Sequence, residues 1–144
     1  MQTTDDSSVL NSIYRGALTG SRAIRDILPQ VKNTGLRSDL TTQESEYAAI
    51  CADAAKRLHI LGGCPEDVPA LKRAGMKLGV TMNTALNRAT PHLAEVMIQG
   101  STMGITNMTR VLHTFSAAGA DAAGLANRLI TAEQQNIDRL KIYL

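Results

Sequence analysis

One stretch decides the fold of this chain: GGCPEDVPALKRAGMKLGVTMNTALNRATP, residues 62–91. It is about as long as a helix and lies between two regions with clear helical periodicity. Pro91 follows Thr90, and a proline in the first turn starts a helix rather than breaking it. The stretch therefore predicts an irregular helix over about 66–87 and a new, regular helix from Pro91.

Apolar residues spaced three and four apart predict four long helices around this stretch. The predicted ranges are about 6–32, 36–61, 91–115 and 122–143. The break between the first and second long helices is short, and so is the break between the third and fourth. These short breaks predict two antiparallel hairpins. A connection as long as a helix can return the chain, so that the second and third long helices run parallel. We therefore expect an all-α four-helix bundle with a long, partly helical crossover; a five-helix antiparallel bundle is the alternative.

Composition narrows the class of protein. The chain has 144 residues, 44% of them hydrophobic, which suits a single domain over residues 1–144. A net charge of +2 and an aromatic content of 3% argue against a nucleic-acid partner. The first ten residues, MQTTDDSSVL, lack the basic start of a secretory signal, and no apolar run reaches the length of a membrane span. We expect a cytoplasmic protein without a membrane partner.

Two carboxylates lie in helical stripes that are otherwise apolar. Glu44 and Glu133 occupy these positions, and burying an unpaired carboxylate costs several kcal/mol. Each glutamate therefore implies a partner, a proton or a metal, unless both lie at the edge of the stripe and stay solvated. Comparing heights along the predicted helices brings further polar side chains to the same level. The predicted polar core network consists of Arg22, Arg25, Glu44, Tyr47, Gln99, Glu133 and Asn136.

The glutamates also carry a resemblance to a known family. The second predicted helix reads Glu44-x-x-Tyr47 and the last reads Glu133-x-x-Asn136. This pattern resembles the di-iron carboxylate bundles of the ferritin-like superfamily, in which two helices each give a Glu-x-x-His pair and two others each give a Glu. Tyr47 and Asn136 replace the two histidines, and Gln99 falls near the place of a third glutamate. The resemblance implies a ferritin-like fold with a degenerate metal site.

Two functions follow from this interpretation. The first is a non-enzymatic structural or interaction protein that needs no cofactor and associates as a dimer or with another protein. The second keeps iron, manganese or zinc at Glu44 and Glu133, with help from His92 and Glu95, for redox or storage chemistry. A histidine phosphotransfer module would need an exposed mid-helix histidine beside a lysine, and His92 lacks that setting.

Three pairs of glycines stand four residues apart inside predicted helices. The pairs are Gly16 and Gly20, Gly75 and Gly79, and Gly100 and Gly104. A glycine inside a helix costs about 1 kcal/mol relative to alanine. The pairs predict either close packing between helices or a groove that receives a second subunit or a ligand.

Overall fold

The computed structural model describes residues 2–144, which form five α-helices and two short 3₁₀ turns. The helices are α1 (Gln2–Ile27), α2 (Thr34–Ile60), α3 (Ala70–Ala85), α4 (Thr90–Thr114) and α5 (Ala120–Leu140). The 3₁₀ turns cover Leu28–Gln30 and Lys141–Tyr143. Over residues 2–144, no helix is both long enough and apolar enough to cross a bilayer.

Contacts at the helix ends fix the topology. The carboxylate of Asp5, near the start of α1, accepts a hydrogen bond from the backbone N–H of Ala117, just after α4, at 2.9 Å. The start of α1 and the end of α4 therefore lie together. Because α2 turns back from α1 after a short break, α2 and α4 run in the same direction. The predicted parallel pair and long crossover are confirmed, and the five-helix antiparallel alternative is wrong.

Helices α1, α2, α4 and α5 supply the apolar core. In each helix the apolar residues recur every three or four positions, so they form one stripe that faces inward. Burial of these side chains drives the packing. Core side chains with almost no exposure include Ile13, Ile24, Leu40, Ile50, Leu93, Met108 and Leu129. Helix α3 contributes only Thr84 to the buried set. The bundle core is therefore complete without α3, which packs on the outside of α1.

Ion pairs hold the loop over residues 61–69 against α1. Arg22 donates two hydrogen bonds to the Asp67 carboxylate, at 2.8 and 2.7 Å. Arg73, in the first turn of α3, donates to the same carboxylate at 2.8 Å. The hydrogen bonds from Arg22 and the two positive charges hold the pKa of Asp67 well below its usual range. Asp67 thus fixes the crossover to the bundle and uses the side chain of Arg22 to do so.

Helix boundaries differ from the predicted ones where proline and capping intervene. The first helix was predicted to reach residue 32 but ends at Ile27, because Pro29 disfavours helical geometry in the residue before it. Asn33 starts the next helix: its side-chain oxygen accepts from the backbone N–H of Leu36 at 2.9 Å. The crossover helix begins at Ala70 rather than near 66, because the preceding residues are extended and bound to α1.

Candidate functional site

The central polar site of the bundle is built around Glu133, whose exposed fraction is 5%. The phenolic hydroxyl of Tyr47, on α2, donates a hydrogen bond to the Glu133 carboxylate. Ser101, on α4, donates to the same oxygen at 3.2 Å, and Gln43 donates to the Tyr47 hydroxyl at 3.0 Å. Asn136 is buried one turn after Glu133. We call these five residues the core cluster.

Burial governs the acid–base behaviour of the core cluster. Loss of solvation raises the pKa of Glu133 to about 7, and the nearby charge of Glu46 adds to the rise. Hydrogen bonding from Tyr47, Ser101 and Asn136 opposes this rise without cancelling it. Burial and the Glu133 charge also raise the pKa of Tyr47 far above its usual value. Near neutral pH, Tyr47 therefore remains a donor while Glu133 is divided between its charged and neutral forms.

Two glycines leave space for the side chains of Tyr47 and Glu133. A Cβ atom at Gly20 would lie 2.7 Å from ring carbons of Tyr47. A Cβ atom at Gly104 would overlap the carboxylate of Glu133, whereas one at Gly100 would meet open space. The predicted close packing is thus explained at Gly20 and Gly104 by an inserted polar side chain rather than by two touching helix backbones.

Glu44 belongs to a separate group between α1 and α2. Ser21 donates to one Glu44 oxygen at 2.8 Å, and a guanidinium nitrogen of Arg25 lies 2.9 Å from the same oxygen. The Glu44 side chain keeps one fifth of its surface exposed. Among residues 2–144, no hydrogen bond joins this Glu44 group to the core cluster. The one network predicted from the sequence is therefore two separate groups.

The predicted core positions of Gln99 and Arg22 are wrong. Gln99 is exposed on α4, where its amide donates to Glu95 at 3.4 Å, and Arg22 binds Asp67. Comparing heights along the predicted helices gives the level of each residue but not the face of the helix on which the residue lies. Ser101, two residues further on, is the α4 residue that points into the core at this level.

Gln43 and Ser101 are the site residues that sequence reasoning missed. A usable signal was present for both. Gln43 precedes Tyr47 by four residues and so shares its helix face, while Ser101 lies four residues after Met97 and seven before Met108 on the buried stripe of α4. Assigning uncharged polar residues to the apolar stripe by position would have found both.

The residues present do not fit a two-metal carboxylate centre. The core cluster offers one carboxylate, no imidazole, and a tyrosine that already hydrogen-bonds the carboxylate. His92 instead contacts the backbone oxygen of Asn83 at 3.1 Å, and Glu95 is exposed. Across residues 2–144, His, Cys, Asp and Glu nowhere gather in a group of three or more that could hold a metal ion. The alternative ligand set of Glu44, Glu133, His92 and Glu95 is therefore not assembled.

Comparison with known proteins establishes the fold. No family model matches the chain, and no curated protein matches it. Among solved structures, the chain is similar to Dps from Thermosynechococcus elongatus, with a TM-score of 0.66 and 20% sequence identity. The similarity covers 99% of this chain and 93% of that one. The chain thus has the ferritin-like four-helix fold, which confirms the fold prediction drawn from the sequence.

Proposed function

We propose that this chain is a non-enzymatic ferritin-like bundle in which the metal centre is lost and which acts by binding protein, first of all a second copy of itself. It works in the cytoplasm and needs no cofactor. The observation that carries the proposal is the state of Glu133, whose carboxylate is engaged by Tyr47 and Ser101 inside the bundle.

The chemistry of the core cluster supports loss of the metal centre. A di-iron site of this fold needs several carboxylates and imidazoles, because two cations of charge 2 or 3 require both ligands and neutralisation. Glu133 offers at most one negative charge, and at neutral pH even that charge is partly neutralised by a proton. Glu44 cannot add its charge freely, since Arg25 already balances it. The polar centre therefore serves packing and helix register.

A second candidate function has one observation in its favour. The side-chain oxygen of Asn136 is buried and has no hydrogen-bond partner, and Asn136 belongs to the same cluster as Glu133. An unpartnered buried oxygen is costly, and a single cation held by these two residues would satisfy it. Storage or redox chemistry at one iron, manganese or zinc ion is then the alternative.

Metal analysis separates the two functions. Protein purified without chelator is analysed for iron, manganese and zinc, and is then titrated calorimetrically with each divalent ion. We expect metal well below one ion per chain and no saturable heat. Stoichiometric metal that is lost in the Glu133→Ala, Asn136→Ala double variant would overturn the proposal and establish the alternative.

A control variant tests whether metal is lost only because the chain has lost a negative charge. Asp138, on the same helix as Glu133, is an exposed carboxylate, so the Asp138→Asn variant removes a charge from α5 without touching the core. Metal lost equally in Asp138→Asn and in the double variant would mark surface binding, and the proposal would stand.

A further inference from the structure

A small cavity lies at the end of the bundle where α1 and α5 begin and α2 ends. Its volume is about 100 Å³, and its lining is apolar except for three charged side chains. The apolar residues are Leu10, Ile60, Leu61 and Ala122. A single water needs only about 10 to 15 Å³, whereas sites for drug-sized ligands hold about 300 to 1,000 Å³. The cavity therefore suits one small molecule with an aliphatic part.

The apolar residues of the cavity divide into a floor and a rim. Leu10 and Ala122 form the floor, since each is only 2% exposed. Ile60 and Leu61 form the rim and are 73 and 39% exposed. An aliphatic group that enters the cavity would remove apolar surface of both the floor and the rim from water, which favours binding.

Arg57 brings unused hydrogen-bonding capacity to the cavity. It lies in the last turn of α2, and its side chain is 32% exposed. Its Nη1 atom is buried and has no hydrogen-bond partner within residues 2–144, while its Nε atom lies 3.4 Å from the Asp121 carboxylate. A buried donor without an acceptor is costly, and one long contact leaves the side chain free to turn. An acceptor inside the cavity would therefore satisfy the guanidinium.

Two carboxylates, Asp6 and Asp121, also line the cavity. The Oδ1 atom of Asp6 accepts from the backbone N–H of Gly119 at 2.7 Å, which holds Asp6 at the start of α5. Asp121 lies in the first turn of α5. Two negative charges against one positive charge disfavour phosphate and similar anions, while Arg57 would repel a metal ion. The charges favour a ligand that carries both an anionic and a cationic group.

We propose that this cavity binds a free α-amino acid with an aliphatic side chain, such as leucine. The ligand carboxylate accepts from Arg57, the ammonium group lies against Asp6 and Asp121, and the side chain lies on the apolar floor. An α-amino acid fits because its two charged groups share one carbon atom, and the opposite charges of Arg57 and Asp121 are only 3.4 Å apart. The cavity is separate from the core cluster, so the inference stands apart from the proposed function.

Titration of the isotope-labelled chain with L-leucine, followed by amide chemical shifts, tests the site. Saturable shifts should appear at Leu61, Gly119 and Ala122, which line or adjoin the cavity. Burial of each further CH₂ group raises affinity about fourfold, so leucine should bind at least tenfold more tightly than alanine. No saturable shift at these residues, or equal affinity for leucine and alanine, would overturn the proposal.

Two analogues of leucine test its two charges separately. Isopentylamine is leucine without the carboxylate, and isocaproate is leucine without the ammonium group. Each should bind at least tenfold more weakly than leucine, because each leaves one charge of the cavity without its partner. Either analogue binding as tightly as leucine would overturn the free amino acid as the ligand.

The variants Arg57→Met and Arg128→Met test the guanidinium. Arg57→Met keeps an unbranched apolar side chain but no donor, so leucine should bind at least tenfold more weakly. Arg128→Met is the matched control, because Arg128 also joins α5 to α2, through Asp53 at 2.6 Å, but lies outside the cavity. Arg128→Met should change the affinity by less than twofold. Unchanged affinity in Arg57→Met would overturn the proposal.

Asp121→Asn keeps the test sound if Arg57→Met fails to fold. The Asp121 side chain is 74% exposed, so this variant removes one charge without opening the core. A weaker hold on the ammonium group should reduce the preference for leucine over isocaproate from at least tenfold to less than threefold. General damage to the site would lower the affinity for both ligands equally. An unchanged preference in Asp121→Asn would therefore overturn the proposed ammonium contact.

Discussion

Glu133 and Glu44 occupy similar places in the sequence pattern but very different places in the molecule. Glu133 is almost wholly buried and faces neutral donors, Tyr47 and Ser101. Glu44 keeps one fifth of its side chain exposed and faces Ser21 and the cation Arg25. One glutamate lies in the bundle core, and the other lies at its edge.

The difference teaches that a buried carboxylate can be stabilised by a proton as well as by a countercharge. A cation beside Glu133 would itself need desolvation, which costs several kcal/mol per ion inside a protein. A tyrosine and a serine supply hydrogen bonds without that second penalty. Glu44 remains close enough to water for the cation Arg25 to stay hydrated, since the Arg25 side chain is 63% exposed. The depth of each glutamate in the bundle therefore determines whether neutral hydrogen-bond donors or a cation stabilise its carboxylate.

The largest expected effect is on the pH dependence of stability. The folded chain raises the pKa of Glu133 to about 7, so between pH 5 and 8 the folded state binds more protons than the unfolded state. The free energy of unfolding should then fall as pH rises, by roughly 2 to 3 kcal/mol across this window. Chemical denaturation at half-unit pH steps measures the slope.

The two glutamates serve as each other's control in this experiment. Glu133→Gln keeps an acceptor for Tyr47 but cannot ionise, so it should remove most of the slope and raise stability at pH 8. Glu44→Gln should leave the slope in place. If the slope persists in Glu133→Gln, the titrating group lies elsewhere and the contrast between the two sites fails.

A smaller effect is expected from the glycine that makes room for Glu133. Gly104→Ala places a methyl carbon on the carboxylate and should lower the free energy of unfolding by about 1 to 3 kcal/mol. Gly100→Ala, one turn earlier on α4, meets open space and should raise it by about 0.5 to 1 kcal/mol. Equal effects of the two substitutions in thermal and chemical unfolding would contradict the close contact at Gly104.

The sequence predicts the fold far better than the composition of the polar site. Helical periodicity and the placement of Pro91 follow from local backbone chemistry, so the four long helices and the crossover could be predicted. Periodicity alone does not predict the boundary at Ile27, because the apolar pattern continues past Pro29 to Val31.

The polar site was only half predictable because helix height and helix face are different quantities. Counting residues from the loops gives height, and it places Gln99 level with Glu44 and within about one turn of Glu133. Only the buried stripe gives the face, and it selects Ser101. The partner of Arg22 could not be found this way either, since Asp67 lies on an extended loop whose path has no sequence period.

The smallest expected effect is at the edge of the bundle. Glu44→Gln removes the ion pair with Arg25 but keeps a side-chain oxygen that can accept from Ser21. Exposed ion pairs contribute little, so the free energy of unfolding at pH 7 should change by less than about 1 kcal/mol and should respond less to added salt than the wild type does. Denaturation of both proteins at low and high salt measures the change. A loss as large as that in Gly104→Ala would mean that Glu44 is as tightly built into the core as Glu133, and the distinction between a charged edge and a protonated centre would no longer hold.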